Sequence, residues 1–275
     1  MLKVDHLKFS YTNTPVLDDI SFQLSPGELG GLFGPNGTGK TTLFKCCLKL
    51  LTPERGHIRF AGQTINALST KQMARQVAYV PQSHHSPFSF SAEEMISMGR
   101  TPHLNRFYSP RPKDLAKVRQ AMEEIGITHL AQAPYNRLSG GQRQMVLIAR
   151  AIAQETKIIL LDEPAAALDF KNQITLWKTL RRIAARGTAI LACSHDPNHV
   201  AWFCHTAVVL GRSGILAKGD PKRILTQELM DRIYKDSCNV KEFGGIKMVF
   251  PAGLTCDPAD KIVDFPGKIK GGQYR

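Results

Sequence analysis

The chain has 275 residues, and its 36 Lys and Arg residues outnumber its 23 Asp and Glu residues, which gives a formal net charge of +13. A hydrophobic fraction of 43% is ordinary for a globular protein with a substantial core. No apolar run approaches the roughly 20 residues of a membrane-spanning helix, and the N-terminus lacks the apolar segment of a secretory signal. We therefore expect a cytosolic chain. Its basic residues are spread along the sequence, so the charge does not favour nucleic-acid binding.

The N-terminal part of the sequence predicts strands, the first of which form an antiparallel edge sheet. Strands are expected at 2–10, 20–33, 56–60 and 76–80. A turn at 12–15 joins the first two segments. Gly30 and Gly31 fall within the second segment, where glycine weakens a strand and packs against nothing.

From about residue 83 onwards the pattern becomes helical, and it then alternates. Ser91 precedes a helix with an acidic first turn, and Pro112 opens a second helix that runs to residue 125. A strand at 157–162, a helix at 170–184 and a strand at 188–193 follow one another as in a βαβ unit. Such alternation predicts a parallel sheet.

These elements predict an α/β fold with a parallel sheet, an N-terminal antiparallel β subdomain and an inserted helical subdomain. We expect one domain over 1–250, with the helical lobe at approximately 83–150. The stretch at 251–275 is rich in Gly, Pro and Lys, and it is predicted to be a loosely held tail. No internal repeat is visible, so we expect the chain to supply one half of a dimer.

The segment GPNGTGKTT fits the pattern G-x-x-x-x-G-K-[ST], a loop that cradles nucleotide phosphates. A predicted strand at 28–33 precedes the loop and a predicted helix at 41–50 follows it, as the motif requires. Lys40 is predicted to reach the β- and γ-phosphates, and the Thr41 hydroxyl to ligate Mg²⁺. By itself the loop fits a kinase, a GTPase or a motor. Its predicted nucleotide-binding residues are Gly34, Pro35, Asn36, Gly37, Thr38, Gly39, Lys40, Thr41 and Thr42.

A second pair of candidate residues follows a continuous apolar run at 158–161. Such a run is typical of a strand that is buried on both faces of a parallel sheet. Asp162 and Glu163 therefore lie at the strand end, where open α/β sheets bind ligands. We predict Asp162 as a Mg²⁺ partner and Glu163 as the catalytic group that polarises the attacking water.

The sequence LSGGQ at 138–142 adds a third motif. With it, the chain resembles the nucleotide-binding subunit of ABC transporters over roughly residues 1–250. The resemblance implies that Tyr11 stacks on adenine and that Gln82 senses Mg²⁺ and the membrane partner. It also implies that His195 contacts the γ-phosphate, and that Asp169 lies in the loop between two subunits. The residues expected to act on ATP held by the partner subunit are Leu138, Ser139, Gly140, Gly141 and Gln142.

The resemblance implies a P-loop NTPase core that hydrolyses ATP with Mg²⁺ as its cofactor. The expected partners are a second copy of the chain, the transmembrane subunits of a permease and, indirectly, a substrate-binding protein. No nucleic acid is expected. The chain would then lie at the cytoplasmic face of the membrane. Ala165 and Ala166 depart from the family pattern, which often has Thr and Ser at these positions, so the contacts of the inter-subunit loop are expected to differ.

The segment at 90–104 carries a finer resemblance, to ATPases that power import of iron–siderophore, haem or cobalamin. Its Gly-Arg-Thr-Pro-His-Leu run at 99–104 is expected to form a rigid wall of a groove for a helix of the membrane subunit. Two alternatives stay open: an importer of molybdate-type oxyanions, and a soluble ATPase of iron–sulfur cluster assembly. The cargo itself is not encoded here, because the ATPase never touches it.

Overall fold

The computed structural model describes residues 1–82, 88–104, 111–212 and 214–253. Within these ranges the strands form a four-stranded, a six-stranded and a two-stranded sheet. In chain order the strands are β1 Leu2–Ser10, β2 Pro15–Leu24, β3 Leu29–Phe33, β4 Arg55–Phe60, β5 Gln63–Thr64, β6 Val77–Val80, β7 Ile158–Leu161, β8 Ala189–Ser194, β9 Thr206–Gly211, β10 Gly214–Gly219, β11 Cys238–Phe243 and β12 Ile246–Pro251. The α-helices are α1 Lys40–Cys47, α2 Thr70–Gln76, α3 Ala92–Ser97, α4 Pro112–Ile125, α5 Gly140–Ala153, α6 Phe170–Ala184, α7 Pro197–Phe203, α8 Pro221–Ile224 and α9 Gln227–Tyr234.

The four-stranded sheet has the order β2-β1-β4-β5 and is antiparallel. The predicted turn through Pro15 and the predicted strand across 20–33 are wrong in detail. Pro15 pairs with Ser10 and opens β2, which is an edge strand, and proline is tolerated at the first position of such a strand. A turn with Gly27 at a φ of 85° then separates β2 from β3.

The six-stranded sheet has the order β10-β9-β3-β8-β7-β6, with β10 alone antiparallel to its neighbour. Every residue of β3, β7 and β8 is buried, as expected for strands covered on both faces. Because these three strands are parallel neighbours, their carboxyl ends meet at one edge. Gly34, Asp162 and His195 all follow these ends, so the topology assembles the candidate site.

Gly30 and Gly31 prove to be packing positions, contrary to expectation. A Cβ at Gly30 would lie 2.8 Å from Cδ1 of Leu24, and a Cβ at Gly31 would lie 2.8 Å from Cγ1 of Val200. Real Cβ atoms essentially never approach this closely. The two glycines therefore let β3 lie against the antiparallel sheet on one side and α7 on the other.

The helices α3, α4 and α5 pack against one another, and residues 98–103 form a 3₁₀-helix beside them. The expectation that 99–104 forms a rigid groove wall stays a prediction, and Arg100 within this run is buried. Its guanidinium donates hydrogen bonds to Oδ1 of Asp114 over 3.1 Å, to the carbonyl of Ala153 over 2.6 Å and to Oε2 of Glu155 over 2.8 Å. Arg100 thus joins α4 to the end of α5.

The C-terminal part of the described chain ends in a β-hairpin that the sequence did not predict. The hairpin of β11 and β12 packs on α7, where Asn198 exchanges two hydrogen bonds with the backbone of Val249. The predicted tail at 251–275 falls mostly on 254–275, outside the described residues. No helix within the described ranges is long and apolar enough to cross a membrane.

Candidate nucleotide site

The phosphate loop connects β3 to α1, as predicted. Gly39 is the N-cap of α1 and has a φ of 93°, a conformation that L side chains rarely adopt. Lys40 folds back onto the loop, where its Nζ donates to the carbonyl of Gly34 over 2.6 Å and to that of Pro35 over 2.9 Å. Thr38 Oγ1 also donates to Pro35 over 2.9 Å. The loop is therefore held in shape by its own side chains.

The loop opens into a cavity of roughly 580 Å³. This volume lies within the roughly 300–1,000 Å³ that ligand pockets occupy. Its lining side chains come from distant parts of the chain, from just after β1 to just after β8. Its lining residues are Tyr11, Val16, Asn36, Gly37, Gly39, Lys40, Thr41, Thr42, Gln82, Asp162, Glu163 and His195.

Thr41 and Asp162 meet on the floor of this cavity. The Thr41 hydroxyl donates to Oδ2 of Asp162 over 2.8 Å. Burial raises the pKa of Asp162, although the hydrogen bond from Thr41 and the nearby Lys40 oppose the shift. A buried carboxylate beside a hydroxyl is a hard-oxygen donor set that suits Mg²⁺, which takes few protein ligands and keeps phosphates and waters as the rest. These residues therefore fit the cofactor implied by the sequence.

Glu163 occupies a strained backbone position next to Asp162. Its φ of 50° places a non-glycine residue in the left-handed region, a cost that recurs at functional sites. Oε2 of Glu163 accepts a hydrogen bond from Nε2 of Gln82 over 2.8 Å and lies 3.5 Å from Nδ1 of His195. The structure thus brings Gln82 and His195 to the same carboxylate oxygen of Glu163.

Tyr11 lies at the rim of the cavity, just after β1. Its side chain is exposed, its ring packs edge-on against Phe9 at 4.9 Å, and its hydroxyl lies 3.4 Å from Oγ1 of Thr42. The position leaves a face of the ring accessible to a planar ligand that enters above the phosphate loop. Val16, from the neighbouring strand, lines the same rim; it carried no sequence signal, because an apolar residue in a strand is ordinary.

The LSGGQ motif lies in a different place on the subunit. Ser139 is the N-cap of α5, where its Oγ accepts from the N–H of Gln142 over 3.2 Å while Oε1 of Gln142 accepts from the N–H of Ser139 over 3.0 Å. Leu138 is buried beneath it. Residues 139–142 line a second cavity of roughly 670 Å³ together with Asp169. The subunit therefore does not bring this motif to its own phosphate loop.

Asp169 shares the second cavity because it caps α6. Its two carboxylate oxygens accept from the N–H and from Nδ2 of Asn172 over 2.8 and 3.0 Å. The predicted inter-subunit loop thus lies beside the LSGGQ motif.

In this site a parallel strand, a glycine-rich loop and a helix follow one another and bring Lys40 and Thr41 close to Asp162. This arrangement defines the class of P-loop nucleoside triphosphatases. Comparison with known proteins gives the family. The family described as ABC transporter matches residues 17–166, more than half of the chain. The chain therefore belongs to the ABC transporter family and is an ATPase.

Individual relatives match along most of their length. The chain is 35% identical to the ferric enterobactin transport ATP-binding protein FepC of Escherichia coli over 257 residues, which cover 92% of this chain and 95% of the relative. It is 32% identical to the iron(3+)-hydroxamate import ATP-binding protein FhuC of Bacillus subtilis over 235 residues, with coverages of 85% and 87%. A solved metal-chelate type ABC transporter in an inward-facing conformation matches with a TM-score of 0.79 and 32% identity, and the match covers 91% of this chain and 96% of that one.

Proposed function

We propose that this chain is the ATP-hydrolysing subunit of an importer that takes up a metal chelate, such as an iron–siderophore, haem or cobalamin, through a separate membrane permease. The observation that carries the ATPase part is the convergence of Lys40, Thr41, Asp162 and Glu163 in one cavity. The cargo class is supported by the relatives, whose names include ferric enterobactin, iron(3+)-hydroxamate, cobalamin and hemin transport. These names do not favour an oxyanion importer or a role in iron–sulfur cluster assembly.

The phosphate end of ATP would be held by the loop and by Lys40. On binding, Nζ of Lys40 would exchange its bonds to the carbonyls of Gly34 and Pro35 for contacts with the β- and γ-phosphates, so neutral acceptors would be replaced by anionic ones. The adenine would lie against Tyr11. Thr41, Asp162 and Gln82 would hold Mg²⁺, which when bound neutralises charge on the phosphates.

The proton transfer in our proposal is assigned to Glu163. Its carboxylate would orient the attacking water and accept the water proton as the water oxygen bonds to the γ-phosphorus and the bond from that phosphorus to the leaving ADP oxygen breaks. His195, 3.5 Å from the same carboxylate, would donate towards the γ-phosphate oxygens. Both side chains line the phosphate cavity, so one substrate pose can reach both.

The second cavity is the reason for proposing a dimer. Ser139 to Gln142 would contact the γ-phosphate held by the Lys40 loop of the other copy, since the two motifs line separate cavities of one subunit. ATP would then close the dimer, and hydrolysis would remove the contacts that hold it closed. We also propose that residues 1–250 act as one ATPase domain with a helical lobe at approximately 83–150, and that 251–275 is a tail.

The permease would receive this motion near Gln82 and the 90–104 segment, and the chain would then lie at the cytoplasmic face of the membrane. A binding protein would deliver the chelate from the other side, without contact to this chain. The free energy of dimer formation differs between the ATP and ADP states, and this difference sets the maximum work that closure can do on the permease.

The test is isolation of this chain from its own membranes in mild detergent, followed by mass spectrometry and by reconstitution of the recovered complex in vesicles. We expect a polytopic membrane protein to co-purify, and ATP-dependent uptake of a labelled iron chelate, haem or cobalamin that the Glu163→Gln variant abolishes. Recovery of soluble scaffold proteins only would overturn the transport function. Uptake of molybdate instead of any chelate would overturn the cargo class.

A further inference from the structure

Tyr234, the last residue of α9, connects the C-terminal part of the described chain to the nucleotide site. Its hydroxyl donates a hydrogen bond of 3.4 Å to the backbone carbonyl of His195, the residue after β8. The centre of its ring lies 6.3 Å from that of Phe33, the buried last residue of β3, which directly precedes Gly34 of the phosphate loop. One side chain of α9 therefore reaches the ends of two parallel strands that carry the site.

The imidazole of His195 depends on the backbone that carries it, because little packing confines the ring. Its side chain is 61% exposed, and its Nδ1 lies 3.5 Å from Oε2 of Glu163. A functional side chain of this kind is placed by the contacts of its supporting residues. Oγ of Ser194 accepts from the N–H of Asp196 over 3.1 Å, and the carbonyl that Tyr234 binds lies between these two residues.

Helix α7, which begins two residues after His195, is held by the same part of the chain. Asn198 exchanges hydrogen bonds of 2.9 and 2.8 Å with the backbone of Val249 in β12. Nε1 of Trp202 donates to the carbonyl of Lys247 over 2.8 Å. Residues four positions apart share one face of a helix, so the hairpin holds α7 at two points along that face.

The frame that presents Tyr234 is itself fixed. Oε1 of Gln227, at the start of α9, accepts from the N–H of Val240 over 2.8 Å, which ties the helix to β11. Directly after Tyr234 the chain turns through Lys235 and Asp236, whose φ angles of 50° and 59° lie in the left-handed region. Such backbone conformations are costly for residues other than glycine and persist only where the surroundings fix them. The hydroxyl of Tyr234 is therefore held in place relative to His195.

We propose that Tyr234 is a positioning residue for ATP hydrolysis, which holds the backbone of His195 so that the imidazole meets the γ-phosphate. The proposal rests on the function proposed above for His195, and its own content is that the C-terminal helix and hairpin support that function. Tyr234 does not belong to the lining of the phosphate cavity. It therefore affects turnover through His195 and leaves the binding of ATP to the phosphate loop.

The test compares Tyr234→Phe with the wild type in the full chain. Phenylalanine keeps the ring beside Phe33 and removes only the hydroxyl. The net contribution of one hydrogen bond corresponds to a few-fold change, so we expect kcat to fall by roughly two- to tenfold, while KM and ATP affinity change by less than about twofold. The matched control is Ser237→Ala, because the Ser237 hydroxyl also donates a 3.4 Å bond to a backbone carbonyl, that of Lys235. Its kcat should not change.

A double-mutant cycle with His195→Ala separates positioning from a general effect on the fold. The rates of all four proteins are measured by single-turnover hydrolysis of radiolabelled ATP, which detects slow reactions. Without an imidazole there is nothing for the Tyr234 hydroxyl to position, so Tyr234→Phe should lower the rate of the His195→Ala protein no further. A loss of general stability would instead lower the rate in both backgrounds.

An unchanged kcat for Tyr234→Phe overturns the positioning role. An equal fall in the wild-type and His195→Ala backgrounds also overturns it, and would assign the hydroxyl to the fold or to the phosphate loop through Phe33. If His195→Ala itself hydrolyses ATP at the wild-type rate, the function proposed for His195 fails, and the positioning role of Tyr234 fails with it.

Discussion

Nε2 of Gln82 donates a hydrogen bond of 2.8 Å to Oε2 of Glu163, although the two residues lie 81 positions apart. Nδ1 of His195 lies 3.5 Å from the same oxygen. Three loops that follow separate parallel strands are therefore tied together through one carboxylate. A change in any one of these side chains shifts the environment of the other two, so catalytic effects in this trio will not be additive.

The first prediction concerns Glu163→Gln. The amide keeps the size of the side chain and cannot accept the proton of water, so we expect turnover to fall by roughly 10²- to 10⁴-fold while ATP affinity stays within a few-fold. Phosphate release and binding of a fluorescent ATP analogue measure the two quantities. The control is Glu242→Gln, which neutralises an exposed carboxylate on β11. Turnover at the wild-type rate would show that another group activates the water.

The second prediction concerns Lys40→Ala, which removes the cation of the phosphate loop. Each hydrogen bond to a charged group contributes about 1.5–3 kcal/mol, so we expect ATP affinity to fall by roughly ten- to a hundredfold or more. Lys45→Ala is the matched control, because Lys45 lies exposed on the same helix. Isothermal titration with ATP compares the two, and equal affinities for both variants would contradict the assignment of the phosphate loop.

The third prediction concerns the buried ion pair of Arg100 and Asp114. Burial raises the pKa of Asp114. The hydrogen bonds from the N–H of Arg111 and from the Arg100 guanidinium lower it by more, so the pKa of this carboxyl lies below its usual value. Arg100→Ala leaves this buried carboxylate without its cation, so we expect the free energy of unfolding to fall by about 3–5 kcal/mol. Arg119→Ala should cost only about 0–1 kcal/mol, since that side chain is exposed and lies 3.9 Å from Glu93.

Urea unfolding of both variants at pH 7 and at lower pH measures this difference. A carboxylate with a lowered pKa stabilises the fold fully above its unfolded-state pKa of about 3.9, and the stabilisation is lost as pH falls further. Without the Arg100 guanidinium the burial of Asp114 is less opposed, so the folded variant protonates this carboxyl more readily, and the deficit of Arg100→Ala should be largest near pH 7 and shrink as pH falls. A loss no larger than that of Arg119→Ala would mean that the Arg100 pair contributes no net stability.

The fourth prediction concerns His199, which is buried on α7. Its ring lies 5.5 Å from that of Trp177, and its Nε2 lies 3.7 Å from Oδ2 of Asp196. Burial lowers the pKa of His199; Asp196 opposes this shift and His195 adds to it. The unfolded chain, with a histidine pKa of about 6.5, therefore binds a proton that the folded chain disfavours, so stability is lost as pH falls below about 6.5.

We expect the unfolding free energy of the wild type to fall more steeply between about pH 6.5 and 5 than that of His199→Gln, by at most about 1.4 kcal/mol per pH unit. The difference between the two proteins isolates His199, because the remaining titratable groups are common to both. These groups include Glu163 and Cys193, which together with His199 line a further, smaller cavity. Parallel stability profiles across this range would show that His199 does not titrate differently on folding.

Much of the fold followed from local sequence. The helices at 112–125 and 170–184 begin and end where the sequence predicts, because Pro112 and the N-cap Asp169 act within one turn of the chain. The glycines and Lys40 of the phosphate loop likewise fix a conformation over a few residues. The strand boundary at Pro15 was missed, since pairing with Ser10 and not the proline itself decides where β2 begins.

The sequence by itself thus determined the identity of the phosphate loop, the acidic pair after β7 and the bounds of the helices at 112–125 and 170–184, because each depends on residues close along the chain. Only the tertiary structure decided that Arg100 is buried, that Gly31 must be small to admit Val200, and that Ala167 lies against Gly141 of the LSGGQ motif. It also decided that this motif lies in a cavity apart from Lys40. These facts depend on which surfaces meet when distant segments pack, and no pattern within one segment carries that information.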